Sequence, residues 1–202
     1  GTVDDPIIIT SLRDDVAGDT NGDGALTKPA KGDWGRITLG SSATASTTMR
    51  NVIIRYGGYA SYGMVQVWSP QGYLNLDSLE IASSSSYGLT TFTSLSIHNS
   101  SFHDNSVGLQ IPLNFDPTLL VDATNNWWGS DSGPTFVSNP LGQGQKIYAD
   151  PTKILYDPWI GKYVKPDPVI IIPGILGSEQ KDGVWVIDPI LHVYDDLVDT
   201  LD

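Results

Sequence analysis

The chain has 202 residues, of which 40% are hydrophobic and 17% are charged, and it carries a net charge of −12 and no cysteine. The acidic balance argues against nucleic acid as a partner, because phosphate binding needs clustered Lys and Arg. Without cysteine the chain has neither a disulfide framework nor a thiolate metal site. It also contains no run of about 18 apolar residues, so the sequence predicts no membrane span. The low charge content and the abundance of small polar residues favour an all-β extracellular protein.

Short strand signals begin at once. A β-branched run over Ile7 to Thr10 follows Pro6, and a second run over residues 36–39 follows the turn-forming Lys31-Gly32-Asp33. Residues 51–56 alternate in polarity and end at a Gly-Gly pair, as a strand before a turn does.

A fuzzy repeat appears farther along the chain. Leu76 and Ile97 are 21 residues apart, as are Ile81 and Phe102 in the segments LNLDSLEIASSSS and LSIHNSSFHDNS. A period near 20 indicates units that bury their apolar face only when they stack. The sequence therefore predicts an all-β fold, a right-handed parallel β-helix (solenoid). The leucine-rich repeat signature is missing, and an immunoglobulin-type sandwich is the alternative.

The segment DTNGDG, starting at Asp19, places oxygen-bearing side chains at alternate positions, with glycines that permit a sharp turn. Hard cations with 6–8 oxygen ligands require this pattern, so we expect a structural Ca²⁺ site here. The bland alternative is a solvated Asx-Gly turn. The predicted ligands are Asp14, Asp15, Asp19, Asn21, Asp23 and Asp33.

The repeats contain little that could catalyse a reaction. Between residues 40 and 115 the only acids are Asp77, Glu80 and Asp104, which fall on different repeats or turns. A glycosidase needs two carboxylates at a set separation, so we expect no carbohydrate cleavage by this part of the chain. Trp127 and Trp128 offer a sugar-stacking surface as an alternative to their more ordinary role in packing.

The last segment changes character. A proline-rich stretch over residues 163–168 precedes a predicted strand over 169–172, a PGILGS turn and a helix over 192–202 that places Val193, Leu197 and Leu201 on one face. We therefore predict a domain over residues 1–162 that holds the calcium loop, a linker over 163–168 and a short strand-turn-helix tail over 169–202.

Two stretches resemble secreted bacterial parallel β-helix repeat proteins. Residues 4–39 contain the DTNGDG loop and a GDWG turn, and residues 123–159 contain NWWG, SGP and PW. Together they bracket the repeats, so this resemblance covers roughly residues 1–160. It implies the architecture and a secreted or cell-surface location, and it says little about activity.

A third stretch, residues 168–202, resembles the start of an α/β-hydrolase of the lecithin:cholesterol acyltransferase-like lipase type. The resemblance implies that the backbone N–H groups of Ile175 and Leu176 belong to an oxyanion hole. The nucleophile elbow G-x-S-x-G of such enzymes comes later in the chain, and none precedes Asp202. This segment is thus expected to be the truncated start of a serine lipase or acyltransferase domain.

These expectations combine into one prediction. The chain by itself is a non-catalytic, calcium-stabilised spacer or adhesion module of a larger secreted protein, with calcium, a downstream hydrolase domain and a glycan or cell-surface contact as its partners. The alternative is a carbohydrate-binding or carbohydrate-cleaving module similar to a pectate lyase.

Overall fold

The computed structural model describes residues 1–19, 21–61, 63–68, 71–113, 116–162, 178–181 and 184–187. Contacts divide the chain into two compact units, Gly1–Tyr163 and Val164–Asp202. We call the first one the two-sheet unit and describe each unit separately. Within the described ranges, no helix combines the length and the hydropathy that a membrane crossing requires.

Short strands make up most of the two-sheet unit, and its helical elements in the described residues are 3₁₀ segments at Asp15–Ala17, Tyr59–Ser61 and Pro151–Lys153. Many of the strands are rich in β-branched and other apolar residues, which favours extended backbone. The strands are β1 (Ile7–Ile9), β2 (Ile37–Leu39), β3 (Thr48–Arg55), β4 (Gly63–Val67), β5 (Leu74–Ala82), β6 (Tyr87–Thr91), β7 (Leu95–His98), β8 (Ser101–His103), β9 (Val107–Gln110), β10 (Val121–Asp122), β11 (Pro134–Thr135), β12 (Gly144–Tyr148) and β13 (Ile154–Leu155).

These strands form two parallel sheets. The first sheet has the order β1-β3-β5-β7-β10-β13, with β8 also paired to β5, and the second has the order β11-β12-β9-β6-β4-β2. Leu76 pairs with Ile97 and Ile81 pairs with Phe102 across the first sheet. The 21-residue spacing in the sequence is therefore the register between neighbouring parallel strands.

The core lies between the inward faces of the two sheets. Leu79, Ile81 and Phe102 from the first sheet and Leu89 and Leu109 from the second are at most 2% exposed. Burial of each such side chain stabilises the fold by roughly 1.5–3 kcal/mol relative to exposure. This shared core fixes which face of each strand points outward.

Two buried asparagines satisfy backbone groups at the turns of the first sheet. Asn126 is 0% exposed; its Oδ1 accepts from Ser100 N at 2.9 Å and its Nδ2 donates to Ile97 O at 2.7 Å. Asn105 acts similarly: its Nδ2 donates to Ile81 O at 2.8 Å. Because an unpaired buried polar group costs about 1–3 kcal/mol, these amides lock the spacing of neighbouring turns.

The expected fold class, an all-β right-handed parallel β-helix with a strand-turn-helix tail, is wrong. The described strands form two mostly parallel sheets with few helical residues, an arrangement that is like α/β folds in its strand direction. The physical reason is that a 21-residue period specifies which strands pair, but not how the paired strands are arranged in layers. The repeat predicted the register and not the architecture.

The described part of the second unit is a two-stranded antiparallel hairpin, β14 (Ser178–Lys181) and β15 (Val184–Ile187). This hairpin was not predicted from the sequence. The strand expected over residues 169–172, the helix expected over 192–202 and the oxyanion-hole candidates Ile175 and Leu176 all lie outside the described residues.

Candidate metal centre

The acidic loop, which we define as residues 15–27, lies in the long connection between β1 and β2. It begins with a 3₁₀ turn, Asp15–Ala17, whose preceding residue Asp14 caps it by accepting from Val16 N at 3.4 Å. Gly18, Gly22 and Gly24 have φ values of +108°, +74° and +63°. The loop needs glycine there because L side chains rarely adopt a positive φ.

Three carboxylates meet in this loop. Asp15, Asp19 and Asp23 each offer one carboxylate oxygen, and these three oxygens lie within 4.8 Å of one another. Asp19 is exposed, whereas Asp15 and Asp23 are partly buried. Like charges held this close repel each other unless a proton or a cation compensates them.

The loop's own backbone holds two of these carboxylates in position. Asp19 Oδ1 accepts from Asp23 N at 3.0 Å, and its Oδ2 accepts from Gly24 N at 2.9 Å. Asp23 Oδ1 accepts from Leu26 N at 2.9 Å. Each carboxylate is thus oriented locally, without help from a distant strand.

Asp23 is also bound by its neighbour Thr27, whose hydroxyl donates to Asp23 Oδ2 at 2.5 Å. This hydrogen bond, together with those from the Thr27 and Leu26 amides and the Asn21 side chain, lowers the pKa of Asp23 below its ordinary value. The carboxylate therefore stays ionised in neutral solution, which is the state that a metal ligand requires.

Asp15 differs from the other two acids. Its Oδ1 is buried, and among the described residues no hydrogen-bond donor reaches it. A buried carboxylate oxygen without a donor is costly, and a bound cation is one way to compensate it. This oxygen is the most direct sign of a missing partner in the loop.

The remaining predicted ligands are Asn21, Asp14 and Asp33, and the two acids among them are not part of this trio. Asn21 is in the loop, where its Nδ2 donates to Asp23 Oδ2 at 3.0 Å. Asp14 accepts from the Thr10 hydroxyl at 2.5 Å, and Asp33 Oδ2 accepts from the Ser11 hydroxyl at 2.6 Å. Burial of Asp33 works against ionisation, but the bonds from Ser11 and Ala30 and the charge of Arg13 outweigh it and lower the Asp33 pKa. Asp33 thus ties the two ends of the connection together, whereas Asp14 is held within the first end.

A second group of charges, which we call the sheet cluster, comprises Arg55, Glu80, His103 and Asp104 on the first sheet. Arg55 Nε lies 2.6 Å from Glu80 Oε1, and His103 Nε2 lies 3.3 Å from the same oxygen. His103 Nδ1 lies 2.9 Å from Asp104 Oδ2. Both ring nitrogens of His103 therefore face a carboxylate.

These contacts change the titration of the cluster. Hydrogen bonds from His103 and Arg55 lower the pKa of Glu80 to about 2, although partial burial acts in the opposite direction. The bond to Glu80, reinforced by Asp104, raises the pKa of His103. A glutamate that is ionised at all but very acidic pH cannot act as the general acid of a glycosidase near neutral pH.

Sequence reasoning missed the sheet cluster because its members belong to three strands. Part of the signal was available in the repeat, since its 21-residue spacing aligns Ala82 with His103 and Glu80 with Ser101, which places Glu80 near His103. Arg55 pairs with Ala82, 27 residues later, so the repeat alone does not bring it to the cluster.

Trp128 of the NWWG segment has a packing role, and Trp159 and Trp34 are held by hydrogen bonds to the backbone. Trp128 is 0% exposed and stacks on Phe102, with the ring centroids 4.7 Å apart. Trp159 donates from Nε1 to Asp131 O at 2.9 Å and stacks on Tyr156. Trp34 is held by a bond from Nε1 to Arg55 O at 2.7 Å.

No protein-family model, curated protein or solved structure matches this chain. The site is therefore defined by its own geometry. That geometry comprises a loop of three close carboxylates, one with a buried oxygen that lacks a donor among the described residues, and a separate sheet cluster whose charges pair with one another.

Proposed function

We propose that this chain is a non-catalytic spacer or adhesion module of a larger secreted bacterial protein, in which the acidic loop binds Ca²⁺ and stabilises the two-sheet unit. The observation that carries the proposal is the cluster of Asp15, Asp19 and Asp23, whose oxygens lie within 4.8 Å of one another. The buried Asp15 Oδ1, which lacks a donor among the described residues, supports it.

Calcium fits these residues better than other common metals do. The chain has no cysteine, so the soft thiolate ligands of many zinc and iron sites are absent. Carboxylate, amide and backbone oxygens in a glycine-bearing loop suit Ca²⁺, which accepts 6–8 oxygens in a flexible geometry, whereas Mg²⁺ demands a near-ideal octahedron.

Calorimetric titration tests the site directly. The protein is stripped with EDTA, dialysed and titrated with CaCl₂ and, separately, MgCl₂. We expect saturable Ca²⁺ binding that Asp19→Asn and Asp23→Asn each weaken by about tenfold or more, because ligand charge sets affinity in such loops. Asp4→Asn, which removes an exposed carboxylate outside the loop, is the matched control. If wild-type protein gives no calcium-dependent heat, the loop is a solvated turn.

The resemblance of residues 168–202 to an acyltransferase-like hydrolase supports placing the module before a serine acyl-hydrolase domain. On this proposal the present chain does not hydrolyse p-nitrophenyl butyrate, whereas a longer polypeptide that includes a G-x-S-x-G motif does. If the present chain hydrolyses this ester, and no loop variant abolishes the hydrolysis, its non-catalytic role is refuted.

Carbohydrate binding is the second candidate, and one observation favours it. Trp68 is 45% exposed, and its ring centroid lies 4.3 Å from that of Phe92. These two residues directly follow the neighbouring strands β4 and β6 of the second sheet, so their rings meet at its edge. Exposed aromatic faces suit the apolar faces of sugar rings.

Affinity electrophoresis in gels containing neutral or acidic polysaccharides tests this carbohydrate binding. Retardation that Trp68→Ala removes and Tyr59→Ala keeps would establish binding, and no retardation in any gel would eliminate it.

A further inference from the structure

We infer that Asn21 is a site of spontaneous modification, at which its side-chain amide is converted to aspartate or isoaspartate by attack of the Gly22 backbone nitrogen, and that bound Ca²⁺ suppresses the conversion. The suppression rests on the proposed function. The reaction itself needs only the chain and water.

The local geometry leaves the attacking nitrogen accessible. Asn21 is exposed, and a Cβ atom placed on Gly22 would meet no heavy atom within 4 Å. Gly22 has a φ of +74°, and among the described residues no acceptor is found for its N–H. Because glycine has no side chain, its backbone nitrogen is less shielded than that of any other residue, and its backbone rotates most freely.

The chemistry balances without any cofactor. The Gly22 nitrogen bonds to Cγ of Asn21 as its proton passes to solvent; Nδ2 then takes up a proton from solvent, and the Cγ–Nδ2 bond breaks and releases ammonia. The product is a five-membered succinimide. Water opens this ring at either carbonyl: opening at one carbonyl gives aspartate, and opening at the other gives isoaspartate, in which the main chain runs through Cγ.

Present contacts restrain the reacting side chain. Asn21 Oδ1 accepts from Asp23 N at 3.1 Å, while Nδ2 donates to Asp23 Oδ2 and to the Thr27 hydroxyl, each at 3.0 Å. A cation held by Asp19, Asn21 and Asp23 would fix the same side chain more firmly. Only the metal-free fraction then reacts, so Ca²⁺ at about 100 times its Kd should slow conversion by up to about 100-fold.

The two products have opposite effects on the site. Aspartate adds a fourth carboxylate beside Asp15, Asp19 and Asp23, which raises affinity for a divalent cation. Isoaspartate adds one carbon to the main-chain path, so it displaces Asp23 and breaks the bond from Asp23 N to residue 21. A loop left without calcium therefore changes its own binding site irreversibly.

The experiment incubates the full chain at mildly alkaline pH with either EDTA or CaCl₂ and follows each asparagine by peptide mass spectrometry, with chromatographic separation of aspartate from isoaspartate. Asn99 is the internal control, because it is also exposed and has a φ of +52° but precedes Ser100 rather than glycine. Gly22→Ala is the matched variant, and circular dichroism verifies its fold. Calcium binding is measured by calorimetry on the same samples.

We expect Asn21 to convert well before Asn99 in EDTA, more slowly in CaCl₂, and more slowly in Gly22→Ala than in wild type. Conversion of Asn21 no faster than that of Asn99 overturns the inference. Calcium binding with no slowing of conversion overturns the suppression while the proposed function stands. If no binding is detected and conversion is equal in both buffers, the proposed function and the suppression both fail.

Discussion

The acidic loop and the sheet cluster compensate their charges in different ways. In the loop, Asp15, Asp19 and Asp23 lie close together within a short stretch of chain, and backbone amides orient Asp19 and Asp23. In the cluster, Arg55 and His103 come from strands on either side of Glu80 and pair with it. A parallel register can therefore neutralise a carboxylate with cations from distant parts of the sequence, whereas on our proposal the acidic loop takes its cation from solution.

On this comparison the sheet cluster has a structural role, whereas the acidic loop is the candidate ligand-binding region. The sheet cluster is complete within the chain, so changing the metal should leave it unaffected. The loop has local order but an excess of negative charge, so its stability should depend on calcium concentration. The following predictions test this distinction between the two regions.

The largest expected effect comes from acid. Because folding lowers the pKa of Glu80 from 4.5 to about 2, its contribution to stability is fully present above pH 4.5 and is lost as the pH falls toward 2. This contribution amounts to up to about 3 kcal/mol. Denaturant melts of wild type and Glu80→Gln should therefore differ most near neutral pH and converge near pH 2. A constant difference across this range would contradict the pairing of Glu80.

Calcium removal should lower the stability of the protein slightly less, and it should do so only through the acidic loop. A ligand present at about 100 times its Kd stabilises the folded state by about 2.7 kcal/mol. We expect EDTA to lower the melting temperature of wild type and of Glu80→Gln by similar amounts, but to leave Asp19→Asn almost unchanged. If EDTA shifted Asp19→Asn as much as wild type, calcium would be acting elsewhere.

The sequence predicted these two regions unequally. The alternating oxygens of DTNGDG predicted Asp19 and Asp23 as metal ligands, because their chemistry is local and can be inferred from their spacing. The repeat likewise predicted the pairing of Ile81 with Phe102. The arrangement of the strands as two sheets, however, depends on how connections cross between layers, which a period does not encode. Arg55, Glu80 and His103 escaped notice because only the register brings them together.

Alkaline pH should weaken the sheet cluster through His103. Folding raises the pKa of this side chain, so its contribution is fully present below the ordinary value of about 6.5 and is lost as the pH rises through the folded value. The charged groups that face it are Glu80 and Asp104, with Arg55 on the far side of Glu80 and Lys31 donating to Asp104 O. An NMR titration should show a lower midpoint for the His103 ring in Glu80→Gln than in wild type. Equal midpoints would contradict the double carboxylate contact.

The smallest expected effect distinguishes the two carboxylates that flank His103. Asp104 has a 70% exposed side chain, whereas that of Glu80 is 23% exposed. Solvent screens an exposed pair, which usually contributes 0–1 kcal/mol. Asp104→Asn should therefore change the free energy of unfolding by less than about 0.5 kcal/mol, and it should lower the midpoint of the His103 titration less than Glu80→Gln does. If Asp104→Asn lowered that midpoint more, the imidazolium would owe its stability to the exposed turn, and the contrast between a self-compensated sheet and a calcium-dependent loop would have to be redrawn.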